Sequence, residues 1–334
     1  MSVTIKDVAQ RAKVSPSTVS RVLNNAHNVE PKTKRAVLKA IDELGYQPSE
    51  VARGLRIQKT QTIGLIIPDI LNPFFAHVAK GVEDELGAAG YSLILCNSSE
   101  NPLKEQQYLN LMLKKRVDGL IVVPLKENLE LLQKVKDHGI PVMFIDREIE
   151  GFENDCIQVD NYKGARTLAN HFAGLGHRRI GFIGGSLDLS LGRLRLEGYK
   201  MGLADASIEL NEDYVKIGRF DKDTGYQYAK ELLQMDERPT ALISGNNEIA
   251  LGVLAAIHEL GLKMPDDIAF ASFDDPEWAP YITSPLTVLQ QPIGLIASMA
   301  VEHLLNPKPH LVRFLVEGKL VVRESCGAVL KSKA

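Results

Sequence analysis

The chain has 334 residues, of which 39 are lysine or arginine and 42 are aspartate or glutamate, so its formal net charge at pH 7 is −3. This length exceeds one ordinary hydrophobic core and predicts two or three domains. Its three cysteines, Cys96, Cys156 and Cys326, are isolated, which argues against a disulfide framework and favours buried, reduced thiols. No apolar run reaches about 18 residues and the opening residues form no apolar signal segment, so we expect a cytoplasmic protein without a membrane span.

Charge is divided unequally along the chain. Residues 1–60 contain 11 lysine or arginine residues and 5 aspartate or glutamate residues, a net charge of +6, which leaves −9 for residues 61–334. A basic segment attached to an acidic body is typical of nucleic-acid binding confined to that segment.

Three helices are predicted in the basic segment. Thr4 is a suitable N-cap for a first helix that ends at Ala12. Ser15 caps a second helix, and Pro16 occupies its first position, where a proline costs no hydrogen bond. A third helix is expected over residues 33–44. Two short helices joined by a tight turn are typical of a helix-turn-helix.

The second helix exposes short hydrogen-bonding side chains and one long guanidinium; these residues are Ser15, Ser17, Thr18, Ser20 and Arg21. Short side chains let a helix approach the major groove of DNA closely, and arginine can reach the edge of a guanine. The alternative is an ordinary three-helix cap with a polar face. The segment that follows the third helix favours DNA binding over that alternative.

The stretches TIKDVAQRAKVSPSTVSRVLN and EVARGLR are specific, and on them the chain is identified as a member of the LacI/GalR family of bacterial transcription repressors. The resemblance implies a DNA-binding head at residues 1–47, a hinge helix and linker at 48–60, and an effector-binding and dimerisation domain at 61–334. It also implies that a twofold dimer reads pseudo-palindromic operator DNA, with a hinge leucine wedged into the minor groove. The implied DNA-binding residues are Thr4, Ser15, Pro16, Ser17, Thr18, Arg21, Asn28, Ala52, Arg53, Leu55 and Arg56.

From residue 61, short apolar strands alternate with amphipathic helices in two consecutive runs, which predicts parallel α/β sheets. The strands are TIGLIIPD, YSLILCN, DGLIVVP and PVMFID, then CIQVD, RRIGFIGG, YVKIG, TALISGN and IAFASFD. The helices are expected to begin near Pro73, Leu103, Asn128, Asn161, Leu191, Asp223 and Asn246. At the tail, LVRFLVEGKLVVRES is expected to form a hairpin-like pair of strands.

The predicted fold class is therefore α/β, with a three-helix head, a hinge helix and a body of parallel sheets. The resemblance implies that the body is periplasmic-binding-protein-like and that its tail crosses back between two subdomains. These are roughly residues 61–160 plus 290–318, and residues 161–289 plus 319–334. Ligands of open α/β sheets bind beyond the carboxyl ends of the strands, so two facing sheets would share one cleft.

Aromatic and planar polar side chains follow several of these strands. Aromatic faces can stack on the C–H surface of a sugar, and planar polar groups can pair with adjacent hydroxyls. Each residue alone also fits an ordinary role, such as a core phenylalanine or a helix N-cap, but their common place at strand ends favours a sugar site. The candidate effector-binding residues are Asn72, Phe74, Phe75, Asp146, Arg147, Arg195, Phe220, Asn246, Phe273, Asp274 and Gln290.

This set resembles the ligand residues of periplasmic ribose-binding proteins and of ribose-responsive repressors, which implies a ribose-like pentose as effector. The match rests on the NPFF loop at residues 72–75, the Asp-Arg pair at 146–147 and Arg195 of an RxxG(F/Y) motif. The chain departs from the family pattern at residues 246–247, which are Asn-Asn where Asn-Asp is usual. The alternative is a corepressor-dependent regulator that responds to another sugar, a sugar phosphate or a purine.

Two other classes of protein fit less well. GFIGGS at residues 181–186 lacks the G-x-G-x-x-G pattern and the lysine of a phosphate-binding loop, and no G-x-S-x-G motif occurs, so we expect no enzyme. The histidines are scattered without a nucleophile partner, and neither a cofactor nor a metal is expected. A free-standing solute-binding protein would need an export signal and no DNA-reading head. No leucine-heptad tail follows the body, which favours a homodimer.

Overall fold

The computed structural model describes residues 3–23, 29–46 and 59–328, and the chain divides into two compact units, residues 1–60 and 61–334. Each unit is described by itself. Five of the predicted DNA-binding residues lie outside the described residues: Asn28, Ala52, Arg53, Leu55 and Arg56.

Within its described residues, 3–23 and 29–46, the head contains the three predicted helices, α1 (Ile5–Ala12), α2 (Pro16–Leu23) and α3 (Pro31–Leu44). Helix α3 begins two residues before the predicted start because Pro31 suits a first helical turn, where its missing N–H costs nothing. The three helices share a small core of buried apolar side chains: Val8, Ala9, Val19, Val22, Val37 and Ala40.

The first sheet of the body has six strands in the order β11-β5-β4-β3-β1-β2, and all of its pairs are parallel. The strands are β1 (Thr62–Ile67), β2 (Ser92–Asn97), β3 (Gly119–Val122), β4 (Val142–Ile145), β5 (Asp155–Val159) and β11 (Arg313–Val316). Its helices are α4 (Pro73–Ala88), α5 (Pro102–Lys115), α6 (Leu129–Asp137) and α11 (Ile293–Leu305). We call this sheet with these helices the first lobe.

The second sheet also has six strands, in the order β12-β10-β9-β8-β6-β7, and only the β10–β12 pair is antiparallel. The strands are β6 (Ile180–Gly184), β7 (Val215–Ile217), β8 (Ala241–Ser244), β9 (Ala269–Phe273), β10 (Thr287–Gln290) and β12 (Lys319–Val321). Its helices are α7 (Asn161–Gly174), α8 (Ser190–Asp205), α9 (Lys222–Leu233) and α10 (Asn247–Glu259). We call this group the second lobe.

The architecture confirms the predicted α/β class, and every predicted helix start in the body lies within one residue of the observed one. The central strands read as continuous apolar runs because helices cover both faces of each sheet. No helix within the described ranges is long and apolar enough to cross a membrane.

The chain passes between the two lobes three times, after β5, after β10 and between β11 and β12. The predicted hairpin-like pair at the tail is wrong. Strand β11 pairs in parallel with β5 of the first sheet, whereas β12 pairs antiparallel with β10 of the second. Only residues 317–318 separate the two strands, and a two-residue link normally closes a hairpin, so local pattern could not reveal the separate partners.

Candidate functional site

A cavity of about 640 Å³ lies where the carboxyl ends of the strands of both lobes meet. The first lobe contributes the segments that follow β1, β2 and β4, and the second contributes those that follow β6, β7, β8, β9 and β10. This is the position expected for a ligand site in open parallel sheets, and here two sheets share it. We call it the cleft.

Nine of the eleven candidate effector-binding residues line the cleft. They are Asn72, Phe74, Phe75, Asp146, Arg147, Arg195, Phe220, Asn246 and Asp274. Residues more than 200 positions apart in the chain are therefore brought together.

The other two candidates, Phe273 and Gln290, are not among the lining residues. Successive side chains of a strand point to opposite faces, so an error of one residue selects the wrong side. Gln290 is exposed and donates from Nε2 to Asp275 at 2.9 Å, whereas the next residue, Gln291, lines the cleft and donates to Asp274 Oδ1 at 2.6 Å. Phe273 is fully buried in the core of the second lobe.

Phe273 nevertheless acts on the cleft through Arg195, a residue of α8. The guanidinium of Arg195 lies 4.0 Å from the centroid of the Phe273 ring, in cation–π geometry. Arg195 Nε donates to Asn161 Oδ1 at 2.8 Å, and its Nη1 donates to the carbonyl of Gly245. Burial lowers the pKa of Arg195, and the negative charge of Asp274 opposes that shift. Arg195 is thus a fixed donor in the wall of the cleft.

Two aspartates face the cleft: Asp274, which is buried, and Asp146, whose side chain is 9% exposed. Burial raises the pKa of both carboxyl groups, and nearby arginines, Arg147 for the first and Arg195 for the second, counteract the rise. Both aspartates have left-handed backbone angles, with φ of 68° and 70°. Such strain in non-glycine residues clusters at functional sites, where surrounding contacts hold it.

Arg147 is held by a carboxylate that sequence reasoning missed. Glu100 accepts from Arg147 Nη2 at 2.7 Å and from Nη1 at 3.2 Å, so the pair is bidentate. Glu100 follows the carboxyl end of strand β2. The other candidates were selected because they follow the carboxyl ends of strands, so the same criterion applied to β2 would have found Glu100.

The aromatic wall of the cleft begins at α4. Asn72 caps this helix by accepting from Phe74 N at 2.9 Å, which places Phe74 and Phe75 in its first turn. The two rings meet edge to face with centroids 5.0 Å apart. Phe220 lines the opposite wall from the second lobe.

Asn247, where the family pattern usually has aspartate, joins the two lobes rather than lining the cleft. Its side chain is buried, and Nδ2 donates to Asn72 Oδ1 of the first lobe at 3.2 Å. Its backbone N–H donates to Asp274 Oδ2 at 3.3 Å.

In the head, the N-terminal turns of α1 and α2 are tied by side-chain hydrogen bonds. Thr4 donates from both its backbone N and its hydroxyl to Asp7, at 2.8 and 2.7 Å, and these bonds lower the pKa of Asp7. Ser15 Oγ accepts from Thr18 N at 3.2 Å and lies 2.9 Å from the Thr18 hydroxyl. Among the predicted DNA-binding residues, Pro16, Ser17 and Arg21 are exposed on α2.

Comparison with known proteins agrees with both units. A model of bacterial regulatory proteins, lacI family, matches residues 4–49, and a periplasmic binding protein-like domain matches residues 169–326. The HTH-type transcriptional repressor PurR of Photobacterium profundum is 37% identical over 329 residues, which cover 96% of this chain and 98% of PurR. The chain belongs to the LacI family. It is a DNA-binding repressor of that family, as the resemblance implied.

Solved structures of similar proteins match this chain over most of its length. The lac repressor dimer bound to operator and the anti-inducer ONPF has a TM-score of 0.86 and 28% identity, covering 98% of this chain and 99% of that one. The complex of the transcriptional regulator CelR with cellobiose has a TM-score of 0.73 and 28% identity, covering 97% and 99%. PurR and the lac repressor are repressors and not enzymes, which agrees with the prediction of no enzyme.

Proposed function

We propose that this LacI-family repressor binds pseudo-palindromic operator DNA as a homodimer and that a small uncharged sugar in the cleft controls its operator affinity. The observation that carries the proposal is the meeting of carboxylates, a fixed guanidinium and aromatic rings from both lobes around one cavity. A ligand that touches both lobes can favour one arrangement of the lobes over another, which is what control of DNA binding requires.

The chemistry of the cleft suits a sugar. Asp146 and Asp274 can accept hydrogen bonds from hydroxyls, while Arg195 and Asn246 can donate to them. The rings of Phe74 and Phe220 offer apolar faces for the C–H surface of a pyranose or furanose. A ribose-like pentose is the effector we favour, on the resemblance of this residue set to ribose-binding proteins. CelR, a similar protein, was solved with the sugar cellobiose.

Charge argues against a sugar phosphate. Among the described residues that line the cleft, seven are carboxylates and three are arginines. The carboxylates are Asp69, Glu100, Asp146, Asp188, Asp221, Glu248 and Asp274. An anionic ligand would meet this negative excess, whereas a neutral polyol would use the carboxylates as acceptors. A purine acting as corepressor remains the second candidate, because the aromatic rings could also stack on a flat base.

Titration of sugars into an operator gel shift tests the proposal. Ribose, glucose and hypoxanthine should each be added to the full chain on its operator, with calorimetry on the same samples. We expect ribose to release the DNA, which would make the protein an inducible repressor. Tighter operator binding with hypoxanthine, and no effect of either sugar, would replace the proposal with a corepressor mechanism.

A further inference from the structure

Arg147 is the cation that the first lobe contributes to the described lining of the cleft. Its side chain is only 4% exposed, whereas the carboxylate that holds it, Glu100, is 47% exposed and faces the cavity. The two hydrogen bonds of 2.7 and 3.2 Å occupy the Nη1 and Nη2 fork of the guanidinium. This fork is the part of arginine that recognises phosphate and carboxylate groups bidentately.

Two further carboxyl groups surround Arg147. Asp146 Oδ2 lies 3.6 Å from Arg147 Nε. Glu105, fully buried on α5, lies within electrostatic range of both Arg147 and Glu100. The positive charge of Arg147 is therefore compensated before any ligand arrives, chiefly by Glu100 and Asp146, which contact its guanidinium.

The loop that carries Glu100 is fixed in place. Ser99 and Glu100 both have left-handed backbone angles, with φ of 55° and 51°. Ser98 donates from its backbone N to the carbonyl of Ile67 at 2.9 Å, and Lys104 Nζ donates to Ser99 Oγ at 3.1 Å. On the other side of Glu100, Asn101 N donates to the carbonyl of Ser98 at 3.0 Å. The loop is therefore anchored on both sides of Glu100, and its carboxylate is held against Arg147.

We propose that Glu100 is a specificity-determining residue that keeps anionic ligands out of the cleft by occupying the fork of Arg147. A phosphate ester could use this fork only by displacing Glu100, which would leave a carboxylate unpaired beside a second negative charge. A hydroxyl can instead accept from the N–H groups that Glu100 leaves unused, since arginine has five. The inference rests on the proposed effector cleft and names the ligand class it admits.

Binding of inorganic phosphate to the full chain, measured by calorimetry, tests this role whatever the effector is. The association constant for phosphate should be at least about tenfold higher for Glu100→Gln than for the wild type, because glutamine removes the negative charge that is paired with the Nη1 and Nη2 fork. Adding Arg147→Ala to Glu100→Gln should abolish the gain. The ratio of ribose 5-phosphate affinity to ribose affinity should also be higher for Glu100→Gln than for the wild type.

Glu130→Gln is the matched control, because Glu130 is an exposed residue of α6 in the same lobe and its replacement changes the net charge equally. Equal phosphate affinity in the wild type and Glu100→Gln, or an equal gain in Glu130→Gln, would overturn the inference. Failure of ribose to bind any of these proteins would count against the proposed pentose effector alone, since the phosphate comparison stands without it.

Discussion

Asn247 joins the two lobes through a buried side-chain amide. The Asn72 oxygen to which it donates also caps α4 by accepting from Phe74 N, so that oxygen is fixed as an acceptor. Position 247 must therefore present a donor, which an ionised aspartate lacks. The family pattern identified position 247 as unusual, but only the contact between the lobes shows what the asparagine does.

Replacing Asn247 by aspartate should lower the free energy of unfolding by about 1–3 kcal/mol at neutral pH, because a carboxylate would face the Asn72 oxygen and the Asp274 carboxylate. Protonation restores a donor, so the loss should shrink as the pH falls. Urea unfolding of both proteins at about pH 5 and pH 7.5 measures the two effects. If the aspartate variant were as stable as the wild type at both pH values, this role of Asn247 would be contradicted.

Glu105 is a fully buried carboxyl group on α5. Its Oε1 accepts from Asn128 Nδ2 at 3.1 Å and from Leu125 N at 3.3 Å, while its Oε2 has no hydrogen-bond partner among the described residues. Burial raises the pKa of Glu105 from 4.5 to about 7, against the lowering effect of these bonds. Near neutral pH the folded protein therefore retains a proton that the unfolded chain has released.

This raised pKa predicts that stability falls as the pH rises from about 4.5 to about 7, because the unfolded state loses its proton first. The stabilisation that the retained proton of Glu105 provides is complete below about pH 4.5 and is lost above about pH 7. It amounts to something on the order of 3 kcal/mol. Glu105→Gln should remove this pH dependence, so its stability relative to the wild type should rise across the window. Urea unfolding across that pH range measures the change, with Glu130→Gln as the exposed control. A stability difference between Glu105→Gln and the wild type that does not vary with pH would refute the prediction.

At the scale of elements, helix α2 carries the DNA-reading prediction. Ser15 and Thr18 are tied to each other at its N-terminus, whereas Arg21 is exposed and long enough to reach a base edge. We expect phosphate contacts from the first two and base reading from Arg21.

Arg21→Ala should weaken binding to the operator by about 1–3 kcal/mol and change binding to random DNA little. Fluorescence anisotropy with both duplexes at one salt concentration measures the two affinities. An equal loss on both duplexes would identify Arg21 as a phosphate contact only.

Elements were more predictable than their partners. Helix starts in the body were predicted to within one residue because N-caps such as Asn72 and prolines such as Pro73 leave local signals. The strand that pairs with β12 could not be predicted from the local pattern, because its pairing with β10 depends on the course of the whole tail. The prediction of Gln290 in place of its neighbour Gln291 as a cleft residue has a related cause, since side-chain direction depends on the exact end of a strand.

At the scale of the whole molecule, the cleft and the head lie in different parts of the chain. Asp274 takes part in the proposed effector site, and Gln291 and the backbone of Asn247 hold its carboxylate by hydrogen bonds. The effector can change operator binding only if it binds two arrangements of the body with different affinity. A coupling free energy of about 1–3 kcal/mol would change the operator affinity 5- to 150-fold.

Asp274→Ala should leave operator binding intact and abolish the response to sugar, because Asp274 belongs to the cleft and not to the head. An operator gel shift with and without ribose measures both properties. Asp236→Ala, which alters an exposed aspartate of the same lobe, should keep the response. Loss of operator binding in Asp274→Ala alone would show instead that Asp274 supports the fold.

The crossing of the tail between the lobes also has a consequence for how the protein is made. Strands β11 and β12 lie at the edges of different sheets, and both come from the last part of the chain. A ribosome releases the N-terminal end first, so neither sheet has its final strand until the tail has emerged. The two lobes are therefore completed together at the end of synthesis, and a chain shortened before Arg313 would lack an edge strand in both.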